Sequence, residues 1–206
     1  MHDRDLLVAT SLAGYDALED LYAGFTADEW ATRSLCPEWD ARGVLVHRLS
    51  VEHMLTGWAP SAEEPPPFAK VAEFEADVAS IADEEVLERG RGVWEARSAD
   101  LASMTQATVE MPSFTPTGVG VYGDFLRIRI FDSWVHERDV AIPLGITTDD
   151  SGQRAEYSLD EVETALGYIV GKKIGLTEGL GITFHITGGV TRDIHAFVDG
   201  RAAQVD

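Results

Sequence analysis

The sequence predicts a mainly α-helical protein, a bundle of four principal helices followed by a small α/β unit. Three observations carry this. Apolar residues recur every three to four positions through most of the first 145 residues. Proline and glycine clusters cut that stretch into pieces of helical length. After Gly145 the pattern changes, and residues 182–186 and 194–198 alternate with period two.

Residues 3–24 read as the first helix, with Leu6, Leu7, Leu12, Tyr15, Leu18, Leu21 and Tyr22 at helical spacing. Thr26-Ala27-Asp28-Glu29 has the form of a capping box, so a short helical turn with Trp30 follows. Asp40 to Trp58 reads as the second helix, ended by Pro60 and the stiff Pro65-Pro66-Pro67. Residues 71–105 are helical in composition, with breaks expected near Gly90 and Gly92. Residues 111–120, with Pro112, Pro116, Gly118 and Gly120, read as a loop. Residues 123–142 form the fourth principal helix, stopped by Pro143 and Gly145.

Residues 147–154 are a polar linker, and Ser158-Leu159-Asp160-Glu161 has the form of a second capping box, opening a helix to about Ile174. Gly188-Gly189 lies between the two alternating runs, which read as neighbouring strands of a small sheet. The expected organisation is a helical domain over 1–146 and a small α/β domain over 155–206. A helix and two or three strands bury little by themselves, so the second is expected to pack on the first.

Composition excludes several function classes. Asp and Glu number 36 against 16 Lys and Arg, a formal charge of −20. A phosphate backbone would be repelled, so no nucleic acid is expected as a partner. No run of about 18 apolar residues exists, so no membrane span is expected. The charged start, Met1-His2-Asp3-Arg4-Asp5, lacks the form of a signal peptide, and a cytoplasmic location is the expectation. Cys36 is the single cysteine, so an intrachain disulfide, a Cys-x-x-Cys redox pair and a multi-cysteine zinc motif are all excluded. Monomer and homodimer both remain open.

A transition-metal site must therefore use histidine and carboxylate. On a wheel of about 100° per residue, His47 shares the apolar side of its helix with Val44, Val51, Met54 and Trp58. It points inward, either as a core histidine satisfied by a hydrogen bond or as a ligand. Asp132 and His136 are spaced i, i+4 and share a helix face. That helix has two readings. If the side of Ile130 and Trp134 is the core, Asp132 and His136 are solvated. If the side of Phe125 is the core, Arg129, Asp132, His136 and Asp139 are buried together and need pairing or a metal. Two histidines and a carboxylate suit Zn²⁺, Ni²⁺, Mn²⁺ or Fe²⁺ and leave positions open for a reactant. Asp139 is placed to orient the His136 imidazole. Arg129 is a candidate for a substrate carboxylate, with an ion-pair role as the alternative. His53 points away from His47. His185 and His195 alternate with apolar residues and should face solvent. Cys36 reads as a packing residue with no base beside it, and Trp30 and Trp39 read as core anchors.

Two segments carry a family resemblance. Phe25-Thr26-Ala27-Asp28-Glu29-Trp30 with Leu35-Cys36-Pro37-Glu38-Trp39-Asp40, running on to His47, resembles the N-terminal half of the mycothiol-dependent maleylpyruvate isomerase family. Asp132-Ser133-Trp134-Val135-His136-Glu137-Arg138-Asp139-Val140-Ala141, with Leu144-Gly145, resembles its second metal-binding helix. The resemblance spans roughly residues 5–146 and implies a DinB-like four-helix bundle. It implies a metal site of His47, Asp132 and His136, and mycothiol as the thiol cosubstrate. Residues 155–206 resemble the small C-terminal domain of many members, which implies an arginine toward the substrate, Arg192 or Arg201. The family's carboxylate is typically Glu, and Asp132 is one methylene shorter, so either the metal shifts or the helix comes closer.

The expected function is that of a metal-dependent, thiol-using S-transferase or isomerase acting on a small electrophilic substrate. Two other classes stay open: a non-catalytic small-molecule binding module on the same bundle, and a thiol-independent metal-dependent hydrolase or isomerase.

Overall fold

In the computed structural model, which describes residues 2–205, α1 (Arg4–Tyr22) starts where the Asp3 side chain accepts a hydrogen bond from the Leu6 amide. That contact satisfies one of the free N–H groups at the helix start. Leu7, Leu18 and Tyr22 line its buried side. The Thr26–Glu29 capping box forms as expected and opens α2 (Ala27–Trp30). Trp30 is 2% exposed and packs on Tyr22 and Phe25, so it is the core anchor the sequence suggested.

In α3 (Ala41–Leu55) Asp40 accepts from the Gly43 amide. Its most deeply buried line is Val44, Leu45, Arg48, Leu49, Glu52 and Leu55, so an arginine and a glutamate lie within an apolar stripe. Residues 71–105 are not broken at Gly90 or Gly92. They form α4 (Ala69–Val78) and α5 (Asp83–Ser103), and the break falls at 79–82. Gly90 sits inside α5 for a packing reason. A Cβ there would lie 3.0 Å from both δ-carbons of the fully buried Leu49.

After α6 (Gln106–Val109) the expected loop is an antiparallel hairpin. β1 (Pro112–Thr115) pairs with β2 (Gly118–Val121), with Pro112 opposite Val121 and Thr115 opposite Gly118. Short strands built of Pro, Gly, Ser and Thr have almost no apolar alternation, which hid them in the sequence. α7 (Tyr122–Leu144) carries Pro143 within its last turn instead of ending before it. Gly145, at φ +69°, stops the helix in the left-handed region. α1, α3, α5 and α7 are the four principal helices. α1 packs on α5 and α7, and α3 on α4, α5 and α7. No helix among the described residues is long and apolar enough to cross a membrane.

The chain divides into two units at Thr148 and Asp149. In the second, α8 (Gly152–Thr164) starts well before the expected Ser158. Ser158 lies inside the helix and its hydroxyl donates to the Arg154 carbonyl, so the capping box predicted there does not exist. α9 (Leu166–Tyr168) leads into a π-helical turn (Ile169–Ile174). β3 (Gly181–Ile186), β4 (Arg192–Asp199) and β5 (Arg201–Val205) form an antiparallel sheet in that order. Ile194 and Ala196 point into a core with Leu166 and Val170. His185 is exposed and bonds Asp193 on the neighbouring strand, while His195 is partly buried and bonds Thr183. Arg192 is held by Glu156, Asp160 and Glu163 at 2.5–2.7 Å.

Gly90→Val is expected to cost about 1–3 kcal/mol by overpacking against Leu49. Gly92→Ala, which meets nothing within 4 Å, should stabilise by up to about 1 kcal/mol through helix propensity. Urea unfolding midpoints of the two variants check the contrast, and equal shifts would refute the packing argument.

Candidate metal centre

α3 and α7 bring His47, Asp132 and His136 together. One ligand atom from each lies within 4.8 Å of the other two. The two imidazoles meet edge to face, with centroids 5.1 Å apart. His136 Nε2 is 3.4 Å from Asp132 Oδ1. Two ligands at about 2.1 Å from a tetrahedral ion are separated by about 3.4 Å, so this pair is already spaced as for one metal. Two histidines and one carboxylate also fit the donor preference of zinc and its first-row neighbours.

The two readings of α7 resolve as follows. Phe125 is buried, and Arg129, Asp132, His136 and Asp139 are partly buried on its side. Ile130 and Ala141 on the opposite side are buried as well. The helix is covered all round, and its charged side faces α3 rather than open water.

That side is organised by buried charge. Glu52 on α3 is 1% exposed and accepts from four residues. Tyr15 of α1 donates at 2.8 Å, Arg48 of α3 at 3.3 Å, Arg97 of α5 at 3.3 Å, and Arg129 of α7 at 3.0 and 3.2 Å. Burial pushes the Glu52 carboxyl up, but Arg129, Arg48 and Arg97 outweigh it and hold the group down at about 2. The same arginines reach Asp132. Arg48 Nη1 and Arg129 Nη1 both donate to its Oδ2, the latter at 2.9 Å. Burial is again opposed by Arg129 and Arg48, which keep Asp132 well below the usual carboxylate range. Oδ2 is committed to the arginines, and Oδ1 is the oxygen turned toward His136.

Arg129 therefore has its guanidinium between Glu52 and Asp132, the ion-pair alternative of the sequence analysis. His47 is held neutral, with burial as the main cause of a pKa lowered to about 4. A neutral imidazole keeps a lone pair for a metal. Trp39, expected as a core anchor, instead stacks on His47 at 4.6 Å between centroids, and a Cβ at Gly43 would crowd it at 3.0 Å.

The other nitrogen of His136 is also occupied. Nδ1 lies 2.8 Å from Asp139 Oδ2, so Asp139 stands where an orienting acceptor is needed. Cys36 departs from the expectation that no base lies near it. Its Sγ is 3.1 Å from Asp139 Oδ2 and 3.7 Å from His136 Nδ1. Burial, and then Asp139, push the thiol up to about 11, so it stays protonated and donates to Asp139. The contact joins residues a hundred positions apart, and nothing local in the sequence announces it. A proline makes it possible. Pro143 has no N–H to give the Asp139 carbonyl, four residues back in α7. The Leu35 amide takes that carbonyl at 2.9 Å and fastens the 34–36 segment to the helix.

Sequence reasoning missed Arg48, Glu52 and Arg97. The available signal was the i, i+4 pair of Arg48 and Glu52 inside an apolar stripe, since such a pair survives burial only with partners.

Residues 12–141 match the family model described as the mycothiol maleylpyruvate isomerase N-terminal domain. Two similar solved structures are the mycothiol-dependent maleylpyruvate isomerase and a point mutant of it. Each aligns with a TM-score of 0.64 over 87% of this chain and 75% of the other. Identities are 14% for the enzyme and 15% for the mutant, so the likeness shows a shared fold. No curated protein matches this chain.

Removing Glu52 leaves three arginines facing each other without their common carboxylate. Glu52→Ala is expected to cost at least about 3 kcal/mol. Glu52 also sets an acid limb. Its folded pKa of about 2 lies below the ordinary 4.5, so its contribution is complete above pH 4.5 and fades as pH falls toward 2. The shift amounts to roughly 3 kcal/mol. Urea midpoints of wild type and Glu52→Gln between pH 3 and 7 should converge toward low pH, and a constant gap would contradict the assignment.

Proposed function

Because the chain belongs to the mycothiol maleylpyruvate isomerase N-terminal domain family, we propose that it is a metal-dependent enzyme using a low-molecular-weight thiol, mycothiol. It acts as an S-transferase or isomerase on a small electrophilic substrate, in the cytoplasm. The observation that carries the metal half is the convergence of His47, Asp132 and His136, with the His136–Asp132 pair at the spacing of two ligands on one ion. The thiol half rests on the family.

In this reading His47, Asp132 and His136 would hold zinc, and nickel, manganese or iron would suit the same donors. Such an ion, when bound, supplies an open position for a thiol and lowers its pKa toward neutrality. The protein's own groups prepare that position. Burial keeps His47 unprotonated, and the Trp39 ring covers one face of it. Arg48 and Arg129 keep Asp132 ionised and fix which oxygen is free. Asp139 fixes the tautomer of His136, so that the proton sits on Nδ1 and the lone pair on Nε2 faces the site. Arg129 acts as a positioning residue for Asp132, since its donors are spent on Glu52 and Asp132 rather than on a substrate carboxylate. Arg192 is likewise engaged by three carboxylates, Glu156, Asp160 and Glu163.

Elemental analysis of protein dialysed against zinc should give about one ion per chain, His47→Ala should bind it more weakly, and His136→Ala should lose it. Asp139→Asn should retain the site with metal affinity reduced about 10–100-fold. Equal, negligible metal in wild type and His47→Ala would end the metal reading. Zinc-loaded protein should show a rise in melting temperature with mycothiol. No rise with mycothiol, or activity unchanged when thiol is omitted, would end the thiol reading.

A further inference from the structure

The Cys36 thiol and the Asp139 carboxylate meet at Nδ1 of His136, whereas Asp132 Oδ1 faces the ring's other nitrogen, Nε2. The ligand atoms of Cys36, His136 and Asp139 lie 3.7, 3.1 and 2.8 Å apart, and all three residues are partly buried. We propose that Cys36, His136 and Asp139 form a second metal position, selective for a thiophilic divalent ion, which competes with the His47–Asp132–His136 site for the His136 ring. The competition, though not the binding, rests on the function proposed above.

The geometry favours ligation over nucleophilic catalysis. In a working triad the nucleophile and the carboxylate face opposite nitrogens of the imidazole, which relays a proton between them. Here both face Nδ1, so the ring cannot stand between them. As ligands they are well disposed. Bonds of about 2.3 Å to sulfur and 2.1 Å to nitrogen put those atoms about 3.6 Å apart on a tetrahedral ion, against the 3.7 Å between Sγ and Nδ1. The two carboxylate contacts are hydrogen-bond lengths and would widen by about half an ångström, within reach of the Asp139 side-chain torsions. The segment carrying Cys36 is held by the Leu35 amide on the Asp139 carbonyl and by the Ser34 hydroxyl accepting from the Cys36 amide at 3.0 Å.

Selectivity follows from donor type. The first site offers two nitrogens and an oxygen, whereas the second replaces a nitrogen with sulfur, which soft ions prefer. Binding releases the Sγ proton to solvent, and thiolate plus carboxylate balance the charge of the divalent ion. The proton on Nδ1 must also leave that nitrogen, and in the neutral ring it moves to Nε2. Nε2 then has no lone pair for the first site. One neutral imidazole thus serves one ion at a time, and occupancy of the Cys36 position disables the other.

Cadmium is the probe, because a thiolate–cadmium bond has an ultraviolet charge-transfer absorption and this chain has one cysteine. Titration of metal-free protein with Cd²⁺ should develop that absorption in wild type and in His47→Ala, but not in Cys36→Ser. Zinc loaded first should raise the Cd²⁺ needed in wild type by at least tenfold, and by clearly less in His47→Ala, where zinc competes only at the softer Cys36 position itself. Folding of each variant is read by circular dichroism. No absorption in folded wild type, or its loss in folded His47→Ala, overturns the second position. Cd²⁺ binding at unchanged affinity beside retained zinc overturns the shared ring. Absorption with no zinc bound at all would instead tell against the proposed function while leaving the Cys36 position standing.

Discussion

A carboxylate taken out of water in the middle of a helical bundle has to be matched by donors, and at Glu52 those donors come from all four principal helices. Tyr15 on α1, Arg48 on α3, Arg97 on α5 and Arg129 on α7 converge on its two oxygens. Apolar contacts between helices tolerate sliding and rotation, because hydrophobic burial has no direction. Hydrogen bonds to one charged group do not. The network therefore fixes helix register in a way that the surrounding Leu7, Leu45, Leu49 and Leu101 cannot. Its net worth against an all-apolar core is another matter, since ion pairs of this kind repay desolvation only when each member is satisfied.

The charge count carries the network outward to the site. Three guanidiniums surround one glutamate, so further negative charge is needed close by. Asp100 on the rim supplies part of it, 3.3 Å from Arg97. Asp132 supplies the rest, between Arg48 and Arg129. The residue that completes the core's charge balance is thus also the candidate metal ligand. This bears on its length. A shorter carboxylate reaches less far toward a metal, but here it is drawn by two arginines on Oδ2 and presents Oδ1 to His136 at 3.4 Å. A ligand held from behind in this way has lost its rotational freedom before any ion arrives, which lowers the entropic cost of binding.

How much of this was legible in the sequence depends on the range of the signal. Where burial follows a periodic apolar pattern, as in α1, α3 and α7, the element and its approximate ends were readable, and Thr26–Glu29 was readable as a cap because its chemistry is complete within four residues. The hairpin at 112–121 was not, since its strands lack apolar alternation, and Ser158 misled because a capping pattern also occurs by chance inside a helix. At the site, His47, Asp132 and His136 were nameable as ligand types, but the wheel of α7 could not choose a buried side for a helix that is covered on every side. Glu52 was overlooked because single-sequence reasoning sends charged residues to the surface, and only its partners on three other helices make its burial possible.

Cys36 illustrates a dependence of another kind. Its place beside His136 and Asp139 rests on a backbone carbonyl that the helix cannot use. Proline at position 143 leaves the Asp139 carbonyl without its intrahelical donor, and a buried carbonyl needs one. The Leu35 amide fills that need, and Cys36, the next residue, is carried to the helix with it. The same residue, Asp139, then uses its backbone to hold the segment and its side chain to hold His136 and the thiol. Glu52 fixes the inner edge of the site through Asp132, and Pro143 fixes the outer edge through Asp139. His136 lies between the two, one nitrogen toward each.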